Sequence, residues 1–152
     1  MRESLSELAR PVSTARPRRP AVYATWAAVA LSTALAIAAA IDQAGTEALA
    51  EHARAVYEPY GKDPNPGMLY GLLFTVAAVD LALWLAVLPA ARSRTWAPVL
   101  AITAFLITAG LALTLLVTAE YGETIFPPLW GALAALPAVA GVAAVALFLR
   151  RR

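Results

Sequence analysis

The sequence predicts an all-α protein: a bundle of four transmembrane helices in two in–out–in hairpins, with a short amphipathic helix in the first outer loop. Three observations carry this. Of the 152 residues, 61% are hydrophobic and 14% charged, against about 45–50% apolar and about 25% charged in soluble domains. The apolar residues gather in four long stretches, about 21–41, 67–91, 97–119 and 128–149, and only the second holds a charge, Asp80. Ten of the 12 basic residues fall on one side of those stretches.

Each stretch is long enough to cross a hydrocarbon core of about 30 Å at about 1.5 Å per residue. Backbone in lipid must satisfy its own hydrogen bonds, which demands helices. A soluble bundle would place polar residues every three or four positions on each helix, and three of these stretches carry no charge at all. The same composition excludes a disordered chain. With no cysteine and one histidine, disulfides, a thiol nucleophile and a Cys or His metal cluster are also excluded.

The N-terminal arm, residues 1–20, holds Arg2, Arg10, Arg16, Arg18 and Arg19 with three prolines. It reads as a mostly flexible cytoplasmic segment that sets topology and touches anionic lipid head groups, not nucleic acid. Ser4 and Glu7 have capping-box spacing for one helical turn, which Pro11 would end. The first helix follows. Its basic start and Ala38-Ala39-Ala40 also resemble a cleaved secretory signal, but both the arm and the apolar run are long for one.

The outer loop from Asp42 to Pro66 is the longest connection. Thr46 to Tyr57 contains no helix breaker, and Leu49, Ala53, Val56 and Tyr57 would share one helical face. The run Glu58-Pro-Tyr-Gly-Lys-Asp-Pro-Asn-Pro-Gly67 then predicts an extended, turning loop.

The second helix is the hardest to insert. Its seven Leu, three Val and one Phe favour insertion by about 3 to 7 kcal/mol, and a central Asp costs about 2.5 to 3.5. The balance still favours the membrane. Arg92 and Arg94 follow it in a short connection, and the tail, residues 150–152, is Arg150, Arg151 and Arg152. With Arg54 and Lys62 set among acidic residues in the other loops, the positive-inside rule places both termini in the cytoplasm of a plasma-membrane protein.

Two Tyr-Gly pairs hint at an internal repeat. Tyr60-Gly61 leads through prolines to Tyr70-Gly71, and Tyr121-Gly122 leads through Pro127-Pro128 to Trp130-Gly131. The run Tyr121-Gly-Glu-Thr-Ile-Phe-Pro-Pro-Leu-Trp130-Gly131, followed by an Ala/Leu/Val helix and a basic end, resembles a group of small four-helix integral membrane proteins of high-GC Gram-positive bacteria. That resemblance implies the fold and no particular chemistry.

Asp80 is the leading candidate for function. It lies about ten residues, roughly 15 Å, from the inner end of its helix, and intramembrane acids are rare and functional candidates. Trp84 is one turn on along the same face, and Ser32, Thr33 and Thr108 lie at similar depth. These residues form either a proton or cation site or a polar clasp between helices. Asp42, Glu51, His52, Glu120 and Glu123 are expected to form an acidic outer rim that solvent or a hard cation could occupy. Gly110, Ala112, Gly131, Ala135, Gly141 and Ala144 allow close helix approach, and Pro137 should kink the last helix.

No phosphate loop, nucleophile motif or paired membrane carboxylate appears, so no catalytic residue, metal or cofactor is expected. The expected function is non-enzymatic interaction with lipids, a membrane-protein partner or a second copy. A small transporter or channel using Asp80 is the alternative.

Overall fold

In the computed structural model, residues 19–150 are described. The expected capped turn at Ser4–Glu7, the rest of the arm to residue 18, and Arg151 and Arg152 lie outside them. The described chain forms α1 (Arg19–Ala44), α2 (Ala48–Tyr57), a 3-10 turn (Glu58–Tyr60), α3 (Pro66–Ala90), α4 (Trp96–Val117), strands β1 (Ala119–Glu120) and β2 (Glu123–Thr124), and α5 (Pro128–Leu149).

Four of these helices, α1, α3, α4 and α5, are long and apolar enough to span a membrane. Leu and Ala dominate them, and both are strong helix formers. Five of their hydroxyl residues stay within the helix by donating to the carbonyl four residues back: Thr25 to Ala21, Ser32 to Ala28, Thr33 to Val29, Thr75 to Gly71 and Thr114 to Gly110. Pro66 occupies the first turn of α3 behind the Asn65 cap, whose side chain accepts from the Met68 amide. Ser93 accepts from the Trp96 amide at the start of α4. Pro98 falls within the first turn of α4, where a missing N–H costs nothing.

The four long helices pack in a ring: α1 lies between α3 and α5, and α4 lies between the same two. α3 and α5 face each other across the axis with little contact. The buried core divides into two apolar clusters. One, at the α2 end, includes Leu35, Leu49, Tyr70, Leu73, Leu115, Phe126 and Trp130. The other, at the far end, includes Val29, Trp84, Val87, Ala101, Ala104 and Phe148. Between them, at the middle of the helices, lie the buried Ser32, Asp80 and Thr108, with Pro137 buried at the middle of α5. The structure adds a hairpin with Glu120 opposite Glu123, turned by Tyr121 and Gly122, both at positive φ (55° and 87°), as a two-residue type I′ turn requires.

α2 covers one end of the ring, burying Leu49, Ala50, Ala53 and Val56 against it. Its first turn is capped from a distance. Glu47, immediately before it, makes no side-chain cap. Instead the Asp42 carboxylate, at the end of α1, accepts from the Ala48 and Leu49 amides at 3.0 Å each.

Candidate functional site

The mid-bundle tier is built by three helices. Asp80 and Trp84 stand one turn apart on α3, Thr108 is on α4 and Ser32 on α1, and all four are fully buried. Ser32, Asp80 and Thr108 lie between the two apolar clusters, and Trp84, one turn further along α3, belongs to the far-end cluster. Thr33 is the exception. It is exposed, because the next residue on a helix points about 100° away from its neighbour.

Trp84 reaches across the bundle. A Cβ at Gly141 of α5 would stand 2.5 Å from the Cζ2 and Cη2 atoms of its ring, so the absence of a side chain at Gly141 is what seats the indole. The helix axes of α3 and α5 are otherwise apart, so the ring fills the bundle axis at this level. Gly131 does the same for Leu116, whose side-chain carbons lie 2.3 and 2.4 Å from a Cβ built there.

The tier is short of hydrogen bonds. Ser32 spends its proton on Ala28. No hydrogen bond joins Thr108 to the Asp80 carboxyl. Both Asp80 oxygens, the Trp84 Nε1 and the Thr108 Oγ1 are buried without a partner. Each such group costs about 1–3 kcal/mol. No Lys or Arg occurs within the apolar stretches to pair with Asp80.

The acidic rim expected from the sequence is not one cluster. Asp42 turns inward and is 7% exposed. Its carboxylate accepts from the Thr46 hydroxyl, the two α2 amides, and the Tyr70 hydroxyl of α3 at 2.7 Å. Four donors leave no lone pair for a ligand, so Asp42 is a structural clamp joining α1, α2 and α3. His52 Nε2 lies 2.8 Å from the Thr124 carbonyl oxygen of β2. Glu120 accepts from the Tyr57 hydroxyl, and that bond pushes the phenol up to about 12. Glu51 and Glu123 are exposed. Among the described residues no group of three or more His, Cys, Asp or Glu is placed to hold a metal ion.

The two Tyr-Gly pairs meet at this end. The Tyr60 and Tyr121 rings stack with centroids 4.1 Å apart and planes 19° apart, and Tyr57 stands edge-on to Tyr121 at 5.7 Å. Gly61 and Gly122 both take positive φ, but in different settings, one closing a 3-10 turn and the other in the hairpin.

A second feature lies on the outside of the ring. Between α4 and α5 runs an apolar groove of about 380 Å³, floored by Ala109, Ala112, Ala135 and Ala138 and walled by Leu113 and Val139 among others. Compared with known proteins, the chain matches no family model, no curated protein and no solved structure.

Proposed function

We propose that the chain is a multi-pass membrane protein that acts without catalysis, by associating inside the bilayer with a membrane-protein partner, a second copy or a lipid. Both termini are cytoplasmic, α2 and the hairpin lie on the outer face of the plasma membrane, and the long helices form two in–out–in hairpins. The basic residues support this orientation. Among the described residues, Arg19, Arg92, Arg94 and Arg150 lie at the helix ends on one side, while the acidic loops join the helices on the other.

The observation that carries the interaction reading is the outward surface. Only about a third of each long helix is buried within the bundle, and large apolar side chains such as Leu106, Leu113, Val139 and Val142 face outward. On that surface the α4–α5 groove is an apolar indentation, floored by alanines that permit close approach of another helix or chain. A photo-crosslinking residue at Val139, activated in native membranes, tests it. One dominant protein or lipid adduct is expected, absent when the crosslinker stands at Ile37 on α1. Equal, unselective labelling at both positions contradicts it.

The buried, unpartnered Asp80 carboxyl favours a second reading, a small transporter or channel-like protein that uses Asp80 as a proton or cation site. Asp80→Asn keeps a hydrogen-bonding group and cannot ionise. Loss of proton or cation flux in reconstituted vesicles supports this reading, and unchanged flux removes it.

A further inference from the structure

We propose that Asp80, Trp84 and Thr108 hold an internal water molecule at the middle of the bundle, bridging α3 and α4 beside the indole edge that seats on Gly141. The four orphaned atoms are two carboxyl oxygens, one hydroxyl and one indole N–H, and this mixture decides the ligand's chemistry. The indole is a donor only, the hydroxyl gives and accepts, and a carboxyl always keeps accepting capacity. A metal cation would satisfy the oxygens but leave the Trp84 N–H facing a positive charge. An anion would satisfy the N–H but oppose Asp80. A proton on Asp80 alone still leaves the Trp84 N–H unpaired, because neither carboxyl oxygen makes a hydrogen bond with it. Water accepts from Trp84 and donates to Asp80 and Thr108, matching the roughly three hydrogen bonds that buried waters make.

The position fits. Nε1 is bonded to Cε2, the ring atom next to Cζ2, so the N–H lies along the same side of the indole that reaches Gly141 at the bundle axis. Asp80 stands one turn away on the same face of α3, and Thr108 comes in from the neighbouring α4. Apolar clusters lie on either side of the layer, so the water is a structural ligand that trades places with bulk water without the α3 helix bonds opening. This inference rests on neither reading of function, because its readout is local to Trp84 and independent of adducts or flux.

The test is nuclear magnetic resonance of the 15N-labelled full chain in lipid nanodiscs. Trp26→Phe, Trp96→Phe and Trp130→Phe assign the Trp84 indole signal by elimination and leave the tier intact. The Trp84 N–H is expected to show magnetisation transfer from water and to exchange into deuterium oxide faster than the α3 backbone amides of Leu83 and Leu85. Asp80→Leu is expected to abolish the transfer and slow exchange on the order of tenfold, the effect of losing one hydrogen-bonded anchor. Thr108→Val, a smaller change, should act in the same direction and serves if Asp80→Leu does not fold. Sodium or lithium chloride should leave the Trp84 signal in place. An indole proton as protected as the helix amides, transfer that survives loss of the anchors, or a cation-dependent shift of the Trp84 signal would each overturn the proposal.

Discussion

Trp84 packs directly on Gly141: a single methyl group at Gly141 would stand 2.5 Å from the rim of the Trp84 indole. The ring is fully buried and has nowhere to retreat. Gly141→Ala should therefore destabilise the bundle by about 1–3 kcal/mol, the usual cost of overpacking. Gly131→Ala offers the control. It meets Leu116, which is 40% exposed and can swing outward, so its cost should be distinctly smaller. Unfolding titrations in mixed detergent micelles compare the two. Trp84→Phe in the Gly141→Ala background should recover part of the loss, and equal costs at the two glycines would show that Trp84 is not wedged.

Asp42 holds α2 in place. Its carboxylate caps the helix and receives Tyr70. Asp42→Ala should cost about 0.5–2 kcal/mol for the lost cap and more for the orphaned Tyr70 hydroxyl, which is buried. The loss should be local. Hydrogen exchange is expected to show α2 amides opening while those of α3 and α4 keep their protection. Tyr70→Phe removes one donor of four and should leave the α2 cap formed, with a cost of about 0.5–1.5 kcal/mol.

The Tyr57–Glu120 contact sets an alkaline limit on the α2–hairpin junction. The Tyr57 phenol is pushed up to about 12 by donating to Glu120, with burial adding to the rise, against about 10 for a free phenol. A folded-state value above the unfolded one means the protonated form stabilises the fold. That contribution is whole below about 10 and disappears as pH rises through about 12. Ultraviolet titration of wild type minus Tyr57→Phe should show one phenol ionising near the upper value. A difference curve centred at the ordinary phenol value would mean the contact does not form in solution.

The four long helices were legible because charge is so thinly spread along them. Lipid-compatible helices leave that mark whatever their packing. The depth of Asp80, Thr108 and Ser32 was legible too, since rise per residue converts sequence position directly into height. Direction around the helix was not, which is why Thr33 was grouped with a layer it does not face. The rim failed for a different reason. Asp42 is an exposed loop acid by composition, but its partners are two amides six and seven residues on and a tyrosine 28 residues away, and no local pattern encodes such a cap. The hairpin was hidden because Tyr-Gly is a weaker positive-φ signal than Asn-Gly. Gly141 was readable as a point of close approach, but its partner became known only once α3 and α5 were seen on opposite sides of the axis.

The orientation of the bundle in the membrane is tested most directly by cysteine labelling, for which the natural sequence, with no cysteine, is already the clean background. Lys62→Cys lies in the loop after α2 and Thr95→Cys just before α4, and both positions are exposed. In intact cells, a membrane-impermeant maleimide should label Lys62→Cys at once and Thr95→Cys only after permeabilisation. Labelling of Thr95→Cys from the outside, or of both positions equally in sealed cells, would contradict a bundle with its α2 cap outside and its arginines within.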